Sequence, residues 1–387
     1  MKNGGSQNRR YINDDKSKMK KVIVTSGWGA GYPEGGGMQW LNLHYLSGLR
    51  SLGLEPYWLD ISRAADEERV SRFQKQCERF GFGDHWVVRR KDGRVFGMNE
   101  QQLSALCGDC ELLINLCGAL QIDELLTRIK RRAYFDLDPG FTQAWAHQFD
   151  MHFGKHNLFF TVGQNVGAPG FPIPTQGIDW QPFLPPVALE FWPAQTAAPT
   201  RPFTTIAQWR GQEVVWQGNY YGPKREEFLR LINLPERSSQ PIELALLIHE
   251  SEADDLATLR GHGWQLVNPH EVAAGVDGFR TYVQQSCGEF SVAKSGYVKS
   301  RGGWFSDRTV CYLASGRPVL VQDTGVGEKL PTGRGLLTFS TMEEALAGFE
   351  EINRDYAGHC AVARQLAKEK LSAPVVLQSI LERAGVM

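Results

Sequence analysis

Residues 301–308, Arg-Gly-Gly-Trp-Phe-Ser-Asp-Arg, place two glycines and a serine ahead of an apolar periodicity at Val310, Leu313 and Ala314. Ser306 is a good helix N-cap, and Asp307 and Arg308 fall in the first turn. Gly316 supplies a left-handed cap, and Pro318 prevents continuation. The free amide hydrogens and positive end of such a helix attract an anion, and glycines let backbone approach one. Asp307 opposes that attraction unless it pairs with Arg308 or bonds a hydroxyl. The competing reading is a well-capped core helix. A second stretch, residues 26–37, holds six glycines in twelve residues between an apolar run and a helical pattern. Gly35, Gly36 and Gly37 stand at the helix start, where amide hydrogens can meet developing negative charge. A third, Tyr-Phe-Asp-Leu-Asp-Pro-Gly at 134–140, ends a strand with Asp136 and Asp138. A carboxylate there can take a proton or cap the next helix.

These groups need elements to hold them. Lys-Val-Ile-Val-Thr (21–25) has the β-branched run of a buried parallel strand. Met38, Leu41, Tyr45, Leu49 and Leu52 then recur at three- and four-residue steps, one face of an amphipathic helix that Gly53 stops. Strand 55–61 resumes, completing a βαβ unit with the glycines in its first turn. Further strands follow at 86–89, 111–118, 131–138 and 157–163. Residues 165–203 are rich in Pro, Gln and Ala and end in an interdomain linker. The second half alternates short apolar strands with helical stretches, the pattern of a parallel sheet wrapped on both faces. A helical stretch, 341–386, closes the chain. The fold class is therefore α/β, two doubly wound Rossmann-like domains in series, 21–200 and 201–365, facing a cleft near the carboxyl ends of both sheets.

The chain has 387 residues, too many for one ordinary core. Its net charge of −1 gives no global field for nucleic acid or anionic lipid. No apolar run approaches the eighteen or so residues of a membrane span. Residues 1–20 are polar, lack an apolar h-region and read as a disordered lead-in rather than a signal peptide. Seven scattered cysteines argue for free thiols and a cytoplasmic setting. Cys107 and Cys110 form one CxxC without a second pair or a nearby His, so they read as a turn rather than a zinc or redox site. The oligomeric state is not legible.

The stretch 306–325, Ser-Asp-Arg-Thr-Val-Cys-Tyr-Leu-Ala-Ser-Gly-Arg-Pro-Val-Leu-Val-Gln-Asp-Thr-Gly, resembles the C-terminal donor-binding region of GT-B glycosyltransferases. There a glycine-rich loop enters a helix ending in small-small-Gly-x-Pro-Val, here Ala314 to Val319. The resemblance implies that Gly303, Trp304, Phe305, Ser306, Asp307 and Arg308 hold a nucleotide-sugar diphosphate, with Gln322 and Asp323 near the sugar. It also implies a second-half donor domain, a first-half acceptor domain and a C-terminal helical tail, 366–387, that packs back on the first. Many relatives carry a glutamate where Cys311 stands, and Gly303 occupies the place of its partner glutamate. The His-Cys-Gly start of plant-type enzymes is absent, so donor base, sugar and stereochemical outcome stay open.

On that reading the chain is a hexosyltransferase with no cofactor beyond its nucleotide-sugar substrate. Lys294, at the carboxyl end of a strand, and Lys224 and Arg225, ahead of a helix, are candidates to neutralise the diphosphate; their bland alternative is a solvated surface. Asp138 is the first candidate for a base and Glu34 the second. The Asp136-x-Asp138 spacing is also the metal signature of the other main glycosyltransferase fold, but that fold has one sheet, and we expect no metal. His44 and His147 read as structural. Trp28, Trp40, Trp145, Trp180 and Trp192 suit sugar faces and buried anchors alike, which leaves the acceptor illegible. Rival readings are a nucleotide-sugar epimerase, a non-catalytic sugar-nucleotide binder, a transferase acting on modified DNA bases, which would want a basic stripe, and a dinucleotide-binding protein using Asp60 as its ribose acid.

Overall fold

In the computed structural model, which describes residues 19–63, 65–196 and 198–387, two sheets carry the chain. Most of the expected disordered lead-in, residues 1–18, lies outside the described residues. In the first lobe β1 (Lys21–Ser26), β2 (Glu55–Ser62), β3 (Trp86–Arg90), β4 (Val95–Phe96), β5 (Cys110–Leu116), β6 (Arg132–Asp136), β7 (Leu158–Thr161) and β8 (Gln181–Pro182) run in the order β4-β3-β2-β1-β5-β6-β7-β8. All pairs are parallel except β3–β4. In the second lobe β9 (Phe203–Gln208) is followed by a hairpin, β10 (Val214–Trp216) and β11 (Asn219–Tyr221). Then come β12 (Ile242–Leu247), β13 (Gln265–Val267), β14 (Gly288–Ser291), β15 (Val319–Gln322) and β16 (Leu336–Phe339). The second sheet is ordered β13-β12-β9-β14-β15-β16 and is wholly parallel. Hairpin and edge strands aside, both lobes follow the doubly wound order 3-2-1-4-5-6. The strand order reverses beside β1 in one sheet and beside β9 in the other, and crevices open there.

The strands form where β-branched and aromatic residues can be buried on both faces: Val22, Ile23 and Val24 of β1 are all fully buried. Helix α1 (Gly36–Ser51) covers that sheet. The C-terminal helices cross back onto it. A Cβ on Gly48 would stand 2.5 Å from Leu377 Cδ1 and 2.6 Å from Ala373 Cβ, so a side chain there would force the helices apart. Leu377, Ile380 and Leu381 are fully buried in this contact. Each such side chain contributes roughly 1.5–3 kcal/mol relative to exposure. Lys20 Nζ closes the seam on the Val386 carbonyl at 2.6 Å.

Sequence reading missed several elements. The hairpin β10–β11 reverses at Gln217 and Gly218, both at positive φ, with Trp216 paired to Asn219. The sixth strand of the second sheet, Leu-Leu-Thr-Phe, is four residues long. So short an apolar run carries no periodicity by which to separate it from the helices that follow.

Candidate functional site

Residues just beyond the carboxyl ends of the innermost strands converge on one cleft of about 510 Å³ between the lobes. From the first lobe come Glu34 to Gly37 after β1, Cys117 after β5 and Asp138 after β6. From the second come Arg210 and Lys224 after β9, Lys294 after β14, and the turn 304–308. Strand order thus explains the gathering of residues as far apart in sequence as Glu34 and Arg308.

The lobes touch on two sides of this cleft. On one, the Gly275 amide donates to the Glu34 carbonyl at 2.8 Å, and Trp40 Nε1 donates to the Val276 carbonyl at 2.8 Å. On the other, the Asn165 amide donates to the Gly302 carbonyl at 3.0 Å, and Asn165 Nδ2 donates to the Gly325 carbonyl at 3.2 Å. Here the glycines acquire a different explanation from ligand approach. A Cβ on Gly36 would collide with the Gly275 carbonyl oxygen and the Phe279 side chain of helix α2 (Gly275–Gln285). One on Gly303, whose φ is +72°, would stand 2.9 Å from Gln164 Cβ. Both bring the second lobe against the first. Gly35 and Gly37 line the cleft as well.

The glycine loop is fixed from behind by two buried side chains. Asp60 accepts from the amides of Gly29 (2.7 Å) and Ala30 (3.0 Å). Gln39 Nε2 donates to the carbonyls of Trp28, Gly29 and Tyr32 at 2.7–3.0 Å. Burial pushes the Asp60 carboxyl up to about 6 against the pull of those amides. Asp60 is fully enclosed, so the dinucleotide-binding rival, which needs it on a ribose, has no acid to use.

Ser306 caps helix α3 (Asp307–Ala314), its hydroxyl accepting from the Arg308 amide at 3.2 Å. Among the described residues the amides of Trp304, Phe305 and Ser306 donate to no protein acceptor. Burial raises the Asp307 carboxyl, with Arg308 and nearby amides opposing, which lessens its repulsion of an anion at the helix start.

Arg308, expected on the diphosphate, is committed elsewhere. Its Nε meets Glu289 Oε1 at 2.6 Å, Nη1 the Ile206 carbonyl at 2.8 Å and Nη2 the Ser291 hydroxyl at 2.8 Å. It balances a carboxylate with no exposure at all. Lys224 is the opposite case. Its ammonium is buried, donates to the Val292 carbonyl, lies 5.5 Å from the Trp304 ring centre and, among the described residues, pairs with no carboxylate. Burial, joined by the charges of Arg308 and Lys294, pushes it well below the ordinary lysine range.

Lys294 bridges the lobes. Its ammonium donates to Asp138 Oδ1 and to Gln212 Oε1, each at 2.6 Å, and the Tyr297 hydroxyl donates to the same Asp138 oxygen. Burial alone would raise the Asp138 carboxyl, but Lys294 and Tyr297 outweigh it and hold it below the usual range. A carboxylate so held is a poor base in this state, and its evident work is to place Lys294. Asp136 faces away: Thr142, Gln143, Thr161 and the Asp138 amide all donate to it, which fixes the turn. Glu34 sits at the rim in a 2.9 Å pair with Arg72.

Four expected donor contacts lie off the cleft: Gly303, whose amide donates to the Thr324 carbonyl at 2.8 Å, and three side chains. Gln322 is buried between Glu227 (2.7 Å) and the Ala293 amide (3.0 Å). Asp323 pairs with Arg301 at 2.9 Å. Arg225 is held by Asp255 at 2.6 Å. None of the three lines the space. Sequence reading missed Tyr297, which stands three residues after Lys294 and stacks on Trp304 with ring centres 4.4 Å apart. A Lys-x-x-Tyr step across a helix start was the available signal. It also missed Arg210, a cleft residue paired with Glu252 at 2.6 Å. Among the described residues no three His, Cys, Asp or Glu side chains are grouped to hold a metal ion. All seven cysteines are free, and no described helix is long and apolar enough to cross a membrane.

No protein-family model and no curated protein sequence matches the chain. Its structure is similar to that of HepE from Anabaena in complex with UDP and glucose, with a TM-score of 0.54 and 12% identity over 95% of this chain and 100% of that one. An α-glucosyltransferase in complex with UDP matches at 0.58 and 10%, again over 95% and 100%. The pneumococcal O-GlcNAc transferase GtfA in complex with UDP and GlcNAc matches at 0.53 and 10%, over 95% and 99%. Identities this low establish the fold, and the fold is GT-B.

Proposed function

We propose that this GT-B chain is a glycosyltransferase that moves a hexose from a nucleoside-diphosphate sugar, with UDP as the nucleotide, to an acceptor hydroxyl. The observation that carries the reading is the pairing, on residues that line the interlobe cleft, of unengaged amides at 304–306 with a buried Lys224 that has no carboxylate partner among the described residues. A diphosphate would supply the negative charge both lack. In the reaction an acceptor oxygen forms a bond to the sugar's C1, and the bond from C1 to the β-phosphate oxygen breaks. The diphosphate leaves with that electron pair, and the acceptor's proton passes to a basic oxygen. Lys224, Lys294 and the amides stabilise the leaving charge. The lobe contacts at Glu34–Gly275 and Asn165–Gly302 keep water from intercepting the sugar. We assign that work to cations and amides without a metal ion, and the seven free thiols support a cytoplasmic setting.

Titration calorimetry with UDP tests the reading. Wild-type protein is expected to bind UDP, and Lys224→Met to bind it at least about tenfold more weakly at an unchanged or higher Tm. Equal affinities would take Lys224 out of the site. Incubation with UDP-hexose alone separates transfer from epimerisation: a changed sugar still attached to UDP would mark the epimerase.

A further inference from the structure

The two lysines of the cleft differ in one respect. Lys224 has no carboxylate partner among the described residues, whereas Lys294 is already neutralised. Its ammonium donates to Asp138 Oδ1 and to Gln212 Oε1, so two of its three donors are engaged inside the protein. The ion pair joins the lobes, since Asp138 follows β6 in the first and Lys294 follows β14 in the second. Water can reach it: the side chains of Lys294 and Asp138 keep 17% and 20% of their surface exposed, and both line the cleft. The pair also adjoins the unengaged amides. The Tyr297 hydroxyl donates to Asp138, and the Tyr297 ring stacks on Trp304, whose own amide is one of those free donors. Lys294 is near enough to Lys224 for their charges to interact. An anion held by 304–306 and Lys224 therefore meets two opposed groups. Lys294 attracts it, and Asp138 both repels it and holds Lys294.

We propose that Asp138 is an internal counter-ion that occupies Lys294 while the cleft is empty and that an incoming diphosphate displaces, an autoinhibitory contact across the lobes. A pair in touch with water is weak enough to be exchanged for a multiply charged anion. The Arg308–Glu289 pair, whose carboxylate is fully enclosed, is not. Gln212, exposed in the loop ahead of β10, is the second hold on the ammonium. That the anion is a nucleoside diphosphate rests on the glycosyltransferase reading; the competition for Lys294 does not.

Titration calorimetry with UDP and, separately, inorganic pyrophosphate tests this on wild type, Asp138→Asn, Gln212→Ala and Glu328→Gln. Asparagine keeps an oxygen for Lys294 and Tyr297 and removes the charge. Asp138→Asn is expected to bind UDP about fivefold or more tightly than wild type, while its Tm falls with the loss of the interlobe ion pair. A carboxylate that only placed Lys294 for the ligand would weaken binding when replaced. Gln212→Ala, at an exposed position that folding tolerates, should tighten binding about threefold and decides the matter if Asp138→Asn does not fold. Glu328→Gln makes the same change of charge at an exposed site off the cleft and should leave the affinity unchanged. Equal or weaker UDP binding in Asp138→Asn, or in Gln212→Ala where the first does not fold, would overturn the proposal, as would equal tightening in Glu328→Gln. Pyrophosphate bound more tightly by Asp138→Asn, with no UDP binding in any form, would remove the nucleotide reading and leave the contact standing. UDP binding to wild type with no gain in either variant would do the reverse. Neither anion binding to any form would overturn both.

Discussion

Replacing Arg308 by alanine is the direct way to question its assignment to the donor, and the structure makes the outcome calculable. The guanidinium sits on Glu289 at 2.6 Å, and that glutamate has no solvent exposure. Its three donors also satisfy the Ile206 carbonyl and the Ser291 hydroxyl. Truncation leaves a buried carboxylate without its counter-ion. Breaking such a pair from one side costs about 3–5 kcal/mol, well above what the pair adds relative to an apolar replacement of both partners. At roughly 2–4 °C per kcal/mol for a unit of about 150–250 residues, the size of one lobe, the transition of the second lobe falls by about 6–20 °C. The companion is Arg308→Met combined with Glu289→Gln, which removes both charges and should recover more than half of that loss. Differential scanning calorimetry of wild type, Arg308→Met, Glu289→Gln and the double variant gives the coupling directly. A Tm for Arg308→Ala within about 2 °C of wild type, or a double variant no more stable than the single, would refute the argument. It follows that weak nucleotide binding in Arg308→Ala says nothing about contact with a phosphate, and the double variant is the form in which to measure it.

Two further outcomes follow from the buried groups. Lys224 lies well below its ordinary range in the empty cleft, chiefly through burial, and a bound diphosphate would restore its charge. UDP binding is therefore expected to take up protons at some pH below the ordinary lysine range, seen as a dependence of the calorimetric enthalpy on buffer ionisation heat in a pH series; the dependence should vanish in Lys224→Met. His44 and His156 are lowered by burial to about 3 and about 4, against about 6.5 unfolded. His44 stacks on Trp40 and accepts from the Ala188 amide. His156 Nε2 sits 2.9 Å from Asn115 Nδ2. The unfolded chain takes these protons first, so stability is complete above about pH 6.5 and is lost as pH falls toward the folded values. Each contributes about 2 kcal/mol of loss by pH 5. Urea melts at pH 7.5 and 5.0 check this, and equal midpoints would contradict it.

What could be read from the sequence was what is local. The β1–loop–α1 unit, the Ser306 cap and the Gly316 stop are set by propensity and periodicity within a few residues. The parallel sheets followed from alternation of strand and helix. Partners set by strand order were hidden. Glu289 lies nineteen residues before Arg308 on a neighbouring strand, and nothing in the spacing says that the arginine belongs to it. Gly36 announced a close approach, but its object, the Gly275 carbonyl on the other lobe, is more than two hundred residues away. The stripe Leu41, Tyr45 and Leu49 was legible as a buried face from its periodicity alone, and all three are buried.

The central claim is that the turn 304–306 and Lys224 together grip a diphosphate in the interlobe cleft. A crystal structure of the protein saturated with UDP tests it most directly. The account predicts phosphate oxygens within hydrogen-bonding distance of those amides and of Lys224 Nζ. UDP elsewhere, or density absent from the cleft at saturating UDP, would contradict it.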